Sequence, residues 1–465
     1  MRLNLDRTRV TLCAALAFLA LTFVALCAQA RAAEAGANPA ARHSPDWLRD
    51  AVVYEVFPRA FSPQGNFKGV IAQLDRLKDL GVTVLWLMPI HPMGKLKAKG
   101  TLGSPYAVRD YDAIDPAYGT PAEFKQLIAA AHQRKMKVFI DVVANHTAWD
   151  SVLLDKHPDW YTHDAAGRIV PPNPDWVDVA DLDYRSQALR DYMRGMFVRW
   201  LRDYGIDGFR CDYASGVPTD FWEAVRPELD RVRPDLAFLA EADDPALLRT
   251  AFDIDYAWDF YHVVAEALAG TVPAAQIRTT WEGAAAKYPR GALRLRFSDN
   301  HDQLRTTGQA GLPAALAASA LMFTLDGVPL LYNGMEVGDT TESAAPALFE
   351  RTPIQWEMAE RRPRVEGFYR SLAALRRAHP AFTRGTVRWL RNDDERRVVS
   401  FERAADDESL VVVINLSSQD YAGVIAAGPD KYRDVTPEAA ASDAAALPAV
   451  FLGPWEFRVF SRVMP

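Results

Sequence analysis

Short apolar runs that alternate with helix-length stretches constrain the fold of this chain more than any other feature. Seven of these runs are strand-like, and the stretches between them, such as residues 70–80 and 121–134, have helical periodicity. Strands that alternate with helices predict βαβ units and a parallel sheet. About eight such units fit a (β/α)8 barrel better than an open sheet, and no glycine-rich dinucleotide motif follows the first run. The strand-like runs are residues 52–56, 82–87, 137–143, 206–211, 236–239, 292–297 and 328–332.

Two regions interrupt this alternation and predict additional structure. Residues 147–184 follow the third run, are rich in Pro, Asp and Trp and have weak periodicity, which indicates a short inserted domain on the active face of the barrel. The last part of the chain is β-rich and ends in alternating apolar and polar residues, as is typical of an antiparallel β domain. We therefore predict a catalytic barrel over residues 47–380 and a C-terminal β-sandwich domain over residues 381–465.

The start of the chain predicts export. Three arginines precede an uncharged apolar run over residues 10–26, and small residues then occur in the spacing of a cleavage site. These features predict a signal peptide over residues 1–32, a linker over residues 33–46 and a secreted or periplasmic location. An uncleaved membrane anchor is the alternative, because the run is close to the length of a short spanning helix.

Composition argues against several kinds of partner. The net charge is -7 and no dense basic run occurs, so nucleic acid is not expected to bind. Of the 3 cysteines, Cys13 and Cys27 lie in the predicted signal, so a mature chain would keep only Cys211 and form no internal disulfide. No membrane contact is expected after signal cleavage, and the oligomeric state is left open.

Polar side chains follow four of the apolar runs at the point where each run ends. Because a parallel barrel gathers the C-terminal ends of its strands on one face, we expect these groups to meet in one site. A single acidic residue after a strand is usually a helix cap, but several carboxylates on one face repel one another and so indicate a function. The residues in question are Asp141, Asn145, His146, Arg210, Asp212, Glu241, His301 and Asp302.

Clustered carboxylates are the groups that hydrolysis of a glycosidic bond needs. One carboxyl group must be protonated to donate to the leaving oxygen, and another must be ionised to attack the anomeric carbon. Arg210 lies two residues before Asp212 on one strand, so both side chains face the same way and the guanidinium favours ionised Asp212. Glu241 follows an apolar run, a setting that raises a carboxyl pKa into the range of a general acid.

Seven short motifs resemble those of the α-amylase family of glycoside hydrolases (glycoside hydrolase family 13), and they occur along this chain in the same order as in the family. Residues 141–146 resemble the family's first motif, residues 208–212 the second and residues 300–302 the fourth, and Glu241 stands where the third has its acid. The resemblance extends over residues of about 50 to 380 and implies a (β/α)8 barrel that acts on α-glucans. The motifs of the inserted domain, the second strand and the eighth strand resemble residues 179–183, 81–89 and 327–336.

The resemblance implies a role for each matched residue. Asp212 would be the nucleophile, Glu241 the general acid and base, and Asp302 the group that binds sugar hydroxyls and stabilises the transition state. Tyr106 would stack under the sugar on the non-reducing side of the cut. Further substrate contacts would come from His146, Arg210 and His301, with Asp141 as structural support.

One departure from the family pattern concerns a metal. α-Amylases carry a Lys-His pair shortly after the nucleophile, and the carbonyl of that His binds calcium; here Ser215 and Gly216 stand at about that place. Asn145 matches another ligand position, and the insertion adds the aspartates at positions 175, 178 and 181. Calcium takes about six to eight oxygen ligands, and these residues supply too few. A structural calcium ion at Asn145 is therefore left open, and no cofactor is expected for the chemistry.

The sequence thus predicts a retaining hydrolase of α-1,4-glucosidic linkages in starch, maltodextrins or related α-glucans. A glucanotransferase, an α-glucosidase or a sucrose- or trehalose-converting enzyme on the same site is the alternative, because these enzymes share the glycosyl-transfer chemistry. A non-catalytic glucan-binding protein is the alternative from another class, and the intact Glu241 argues against it.

Overall fold

The computed structural model describes residues 38–437 and 447–463. The predicted signal peptide and the first part of the predicted linker lie outside the described residues. The remainder of that linker is attached to the barrel: the N–H of Ala41 donates to the carbonyl of Arg290 at 2.9 Å, and Arg42 pairs with Asp253 at 2.5 Å. None of the described helices has both the length and the apolar character that crossing a bilayer requires.

The strands of these residues belong to four sheets. In chain order they are β1 (Val53–Val56), β2 (Val84–Leu87), β3 (Lys137–Val143), β4 (His146–Ala148), β5 (Val179–Asp181), β6 (Gly208–Asp212), β7 (Ala237–Ala240), β8 (Ile254–Tyr256), β9 (Leu293–Arg296), β10 (Val328–Tyr332), β11 (Thr386–Trp389), β12 (Val398–Ala405), β13 (Glu408–Asn415), β14 (Tyr421–Val424), β15 (Tyr432–Asp434), β16 (Ala449–Leu452) and β17 (Phe457–Arg462).

The helices pack around and between these sheets. In chain order they are α1 (Asp46–Arg49), α2 (Pro58–Phe61), α3 (Phe67–Ile71), α4 (Leu74–Leu80), α5 (Pro121–Gln133), α6 (Val152–Lys156), α7 (Gln187–Tyr204), α8 (Thr219–Val232), α9 (Leu247–Thr250), α10 (Trp258–Leu268), α11 (Ala275–Lys287), α12 (Thr306–Ala310), α13 (Leu312–Thr324), α14 (Met358–Arg361), α15 (Pro363–Ala378) and α16 (Ala381–Arg384). Short 3-10 helices occur at Pro158–Trp160, Ala214–Gly216, Met335–Val337 and Ala347–Phe349.

Parallel strands close into a barrel in the order β1-β10-β9-β8-β7-β6-β3-β2, which confirms the predicted fold class. The register of β3 and β6 places Asp141 opposite Arg210 and Val143 opposite Asp212. The two strands therefore end level with each other. Because all barrel strands run in one direction, the residues that follow them meet at the same face of the barrel.

The barrel strand that the sequence did not reveal is β8. It is only three residues long, and its middle residue, Asp255, interrupts the apolar pattern. Asp255 is fully buried and pairs with Arg294 on the neighbouring strand β9 at 2.7 Å. Because the charge is neutralised within the barrel, the strand does not need to be apolar along its length.

Local signals explain the helices that were predicted well and the one that was not. Helix α5 begins at a capping box, in which Thr120 Oγ1 accepts from the N–H of Glu123 at 3.2 Å and the Glu123 carboxylate accepts from the N–H of Thr120 at 2.8 Å. The helix predicted over residues 70–80 is divided between α3 and α4 instead. The division occurs because the N–H of Gln73 donates to the carbonyl of Val70, three residues earlier instead of the four of an α-helix. This bond tightens the turn and ends α3.

Two smaller units accompany the barrel. Within residues 147–184, β5 pairs antiparallel with β4, directly beyond the end of β3, so this insertion lies over the C-terminal face of the barrel. After α16, an antiparallel sheet in the order β11-β12-β13-β17-β15 and a two-stranded sheet of β14 and β16 form the C-terminal β structure. The exact domain limits that we predicted stay predictions, because α16 packs into the same apolar core as the barrel helices.

Candidate active site

Arg210 organises the acidic residues at the C-terminal face of the barrel. It lies on β6 and is fully buried. Its Nη1 donates to Asp141 Oδ1 and to Asp212 Oδ1, both at 2.9 Å, and its Nη2 lies 3.1 Å from Glu241 Oε2. One guanidinium thus contacts three carboxylates and offsets the repulsion among them.

Glu241 is also held by the backbone that follows β6. The N–H of Tyr213 donates to Glu241 Oε2 at 2.8 Å, and the N–H of Ala214 donates to the Glu241 carbonyl at 3.0 Å. Tyr213 has a φ of 41°, in the left-handed region that residues other than glycine seldom adopt. Strain of this kind is concentrated at functional sites, and here it accompanies the placement of the Glu241 carboxyl group.

His301 and Asp302 form the third part of the site. His301 Nε2 lies 3.1 Å from Asp302 Oδ2 and 2.7 Å from the Tyr106 hydroxyl, while its Nδ1 lies 2.5 Å from Glu55 Oε1. Burial by itself lowers the pKa of His301, but the charges of Asp302 and Glu55 outweigh it and raise the pKa well above its ordinary value. The ring is therefore an imidazolium that donates from both nitrogens.

Tyr106 and Asp141 form the floor of the site. The Tyr106 ring stacks on the His301 ring with 5.1 Å between centroids, and its hydroxyl donates to Asp141 Oδ2 at 3.1 Å. The same oxygen of Asp141 accepts from Trp86 Nε1 at 3.2 Å. Together with Arg210, these donors satisfy a fully buried carboxylate, an arrangement that suits structural support better than contact with a substrate.

The environment separates the protonation states of the carboxyl groups. Burial raises the pKa of Glu241 to about 7 and that of Asp212 to about 6, and the charge of Arg210 opposes both increases. The guanidinium thus favours ionised Asp212, as we expected, but burial has the larger effect. Burial also opposes ionisation of Asp302, yet the His301 imidazolium keeps the pKa of Asp302 below its usual value. Near neutral pH the proton therefore remains longest on Glu241.

These groups line a cavity of about 480 Å³. His146 also faces it; burial lowers the pKa of His146 to about 3, so its ring is neutral. Several aromatic side chains belong to its lining, as expected for a site that binds sugar rings. The lining includes Tyr106, His146, Asp212, Glu241 and Asp302 together with Lys99, Trp176, Tyr213, Trp258 and Phe349.

Sequence reasoning brought together most of this site but missed several contacts. Glu55 lies on β1 and is fully buried; an acidic residue inside an apolar strand run was the available signal. Tyr256 accepts from Arg210 Nε at 3.3 Å and was missed together with β8. Trp176 and Tyr213 lie in loops, for which the sequence carries no positional signal, whereas Trp258 begins α10 and Phe349 ends a short 3-10 helix.

The residues around Asn145 do not fit a calcium site well. Asn145 is buried, and its side-chain oxygen lies 2.4 Å from the position that a Cβ at Gly216 would occupy, so it packs against this glycine. The carboxylate of Asp178 pairs with Lys99 at 3.0 Å. In the described part of the chain, no group of three or more His, Cys, Asp and Glu side chains could hold a metal ion. The sequence left structural calcium open, and we assign no step of the chemistry to it.

Comparisons with known proteins agree with this geometry. Residues 42–178 and 174–414 match the family model described as "Alpha amylase, catalytic domain". The chain is 25% identical over 411 residues to Alpha-amylase 2 of Dictyoglomus thermophilum, covering 81% of this chain and 71% of that protein.

Two solved structures resemble the chain over 90% of its length. One is a noncanonic maltogenic α-amylase, AmyB, of Thermotoga neapolitana, with 32% identity, a TM-score of 0.81 and all of that chain (100%) covered. The other is an α-amylase of Lactobacillus plantarum, with 32% identity, a TM-score of 0.81 and 100% of that chain covered.

Proposed function

Because the chain belongs to the α-amylase family of glycoside hydrolases, we propose that it is a retaining hydrolase of α-1,4-glucosidic linkages in starch, maltodextrins or related α-glucans. One observation carries the proposal: the Arg210 guanidinium contacts both Asp212 and Glu241. This contact holds a nucleophile and an acid beside one another, as a retaining mechanism needs. The names of the relatives, α-amylase and maltogenic α-amylase, support the choice of substrate.

In the first step, Asp212 attacks the anomeric carbon of the bound sugar while Glu241 donates its proton to the glycosidic oxygen. A bond forms between the anomeric carbon and an oxygen of Asp212, and the bond to the leaving sugar breaks. The leaving sugar departs as an alcohol that carries the proton of Glu241. Loss of that proton leaves Glu241 as a carboxylate, whose charge Arg210 stabilises.

In the second step, the Glu241 carboxylate takes a proton from a water molecule, whose oxygen attacks the anomeric carbon. The bond to Asp212 breaks, and the product keeps its α configuration because the configuration has been inverted twice. Asp302 and the His301 imidazolium bind the hydroxyls of the same sugar. The hydrogen bonds that the sugar hydroxyls donate to the Asp302 carboxylate strengthen as positive charge develops on the sugar ring.

Two variants test this assignment. Asp212→Asn should release no measurable reducing sugar from maltodextrin. Glu241→Gln should lose that activity too, yet still form the glycosyl-enzyme intermediate from an α-glucosyl fluoride, whose leaving group needs no proton. Azide, which needs no general base, should release this intermediate as an α-glycosyl azide. Asp75→Asn changes an exposed carboxyl group that pairs with Arg134, and it serves as a control that should behave as the wild type.

Several outcomes would contradict the assignment. Wild-type turnover by Asp212→Asn would exclude this residue as the nucleophile, and a β-glycosyl azide would exclude retention. Chains longer than the substrate among the products of maltoheptaose would show transfer to a sugar hydroxyl, which is the glucanotransferase alternative. Absence of any turnover by a folded wild-type protein would favour the non-catalytic alternative.

Export from the cytoplasm is part of the same proposal. Its support is the basic start, the apolar run over residues 10–26 and the small residues that follow. Expression of the full chain in a bacterial host, followed by fractionation and N-terminal sequencing, tests it. Cleavage near residue 32 and activity outside the cytoplasm are the expected results; an intact, membrane-bound chain would indicate the anchor alternative.

A further inference from the structure

The loop after β2 extends to the cavity, where Lys99 is part of the lining. Its two ends are held together, because the N–H of Gly94 donates to Ala107 at 2.9 Å and the N–H of Arg109 donates to Pro92 at 2.8 Å. Residues 94–103, here named the flap, therefore project as a unit from a closed base. Long irregular loops that are this well ordered commonly act as lids or binding loops.

One side of the flap is bound to the insertion. Lys99 Nζ lies 3.0 Å from Asp178 Oδ1 and donates to the carbonyl of Asp175 at 3.1 Å. Lys97 places its ammonium 3.4 Å from the centre of the Trp149 ring. The Asp178 side chain is largely buried, so its pair with Lys99 is less screened than a surface pair.

The other side of the flap is bound to the loop after β10. The N–H of Thr101 donates to Glu350 Oε1 at 2.8 Å, and the N–H of Leu102 donates to the carbonyl of Phe349 at 3.1 Å. Gly100 has a φ of +66° and lies so close to Phe349 that a Cβ at position 100 would be 2.6 Å from Phe349 Cβ. The flap thus connects the insertion with the β10 loop across one end of the cavity.

The order of the barrel strands identifies which end this is. Glu241 follows β7, and β7 lies directly across the closed barrel from β1. The flap follows β2 and its partner loop follows β10, which are the two neighbours of β1. A general acid must lie beside the leaving oxygen, so the leaving part of the chain extends on the Glu241 side. The flap therefore lies on the opposite side, where the non-reducing end of the substrate is bound.

We propose that the flap closes the non-reducing side of the cleft, so that the enzyme acts from the non-reducing chain end and removes short units of fixed length. The inference rests on the proposed hydrolysis of α-glucans. Lys99 and Glu350 are the positioning residues, since each binds the flap to one side of the cleft. A cavity of about 480 Å³ suits a ligand of a few sugar rings better than a polymer that passes through.

Two matched substrates test the proposal. One is maltoheptaose with a fluorophore at its reducing end; the other is identical but carries a 4,6-ethylidene group on its non-reducing glucose. The wild type should shorten the free substrate by one fixed length at early times. It should cleave the blocked substrate more slowly by about 50-fold or more, because the added group clashes with a closed end.

Variants assign the effect to the flap. The double variant Lys99→Ala, Glu350→Ala should raise the rate on the blocked substrate relative to the free one by about tenfold, because the flap loses one charged attachment on each side. Lys95→Met changes another lysine of the flap that is exposed and lies outside the cavity lining. It should leave this ratio unchanged, and so controls for a general effect of removing charge from the flap.

The outcomes separate this proposal from the proposed function. Equal cleavage of the two substrates would overturn closure by the flap and leave the hydrolase assignment intact. A blocked substrate that stays resistant in the double variant would overturn the assignment to Lys99 and Glu350. Cleavage of neither substrate by the wild type would contradict the proposed function and the inference that rests on it.

Discussion

Glu55 Oε1 lies 2.5 Å from His301 Nδ1, and both side chains are buried below the cavity. This contact fixes the ring so that its other nitrogen faces Asp302 and the Tyr106 hydroxyl. It also stabilises the imidazolium, which can then donate to an acceptor on each side. Glu55 thus acts on the substrate through His301, although it belongs to the first strand of the barrel.

Glu55→Gln should keep the contact with His301 but remove its charge, and so lower the pKa of His301. Once the ring loses the proton on Nδ1, where the Gln amide can donate instead, Nε2 still donates to Asp302, but as a neutral rather than a charged donor, at a cost of about 1 kcal/mol. We expect kcat/KM to fall about fivefold at pH values above the new pKa. A pH titration of ¹⁵N-labelled histidines measures the shift, with a His301→Gln sample to assign the signal.

The control for this change is Glu408→Gln. Glu408 accepts from His379 Nδ1 at 2.6 Å, which is the same kind of pair, but it lies in the C-terminal sheet. This variant should leave kcat/KM unchanged.

In the wild type the raised pKa of His301 stabilises the fold below the ordinary histidine pKa of about 6.5, and this contribution disappears as the pH rises through the raised value. A loss of stability in Glu55→Gln that is confined to high pH would contradict the argument.

The pH dependence of kcat/KM should be bell-shaped. Activity should rise as Asp212 ionises through a pKa of about 6 and fall as Glu241 loses its proton through about 7. Initial rates on an aryl α-maltoside at constant ionic strength measure both limbs. With an α-glucosyl fluoride as substrate, Glu241→Gln should lose the falling limb; a falling limb that persists would indicate that another group is the acid.

Arg210→Lys should impair catalysis and stability together. A lysine ammonium is a single point charge that cannot contact three carboxylates as the guanidinium does. Loss of two charged hydrogen bonds, at about 1.5 kcal/mol or more each, predicts a decrease in kcat/KM of about 100-fold. The rising limb of the pH profile should also move to higher pH, because the shorter lysine side chain places its positive charge farther from Asp212.

Denaturant unfolding measures the effect of the same variant on the fold. The exposed pair of Arg185 and Asp183 provides the control, and Arg185→Lys should change the free energy of unfolding by about 0.5 kcal/mol or less. A profile of Arg210→Lys that moved only in height, without a shift of the rising limb, would contradict the proposed effect on Asp212.

Two glycines should respond to alanine in opposite directions. A Cβ at Gly208, at the start of β6, would lie 2.2 Å from the carbonyl oxygen of Ala237 on β7, so Gly208→Ala should cost about 1 to 3 kcal/mol of stability. Gly283 lies within α11 with nothing within 4 Å of such a Cβ, so Gly283→Ala should add about 0.5 to 1 kcal/mol. Thermal unfolding of both variants checks this; destabilisation by Gly283→Ala would contradict it.

The barrel and most of its site could be predicted because the signals are local. Arg210 and Asp212 share a face simply because they are two residues apart on a strand. The pairing of Glu55 with His301 could not be predicted, because 246 residues separate them. The short strand β8 was missed for a related reason: its buried charge is neutralised by Arg294, a residue of another strand.

The sequence by itself determined the order of strands and helices, and with the ordered motifs it determined the family and the class of reaction. Only the tertiary structure decided that Glu241 keeps its proton longer than Asp212, because a pKa depends on burial and on charges that distant segments bring together. It also decided that the flap lies between the insertion and the loop after β10. Loops have no periodic pattern that could fix their position; their contacts with the folded barrel do.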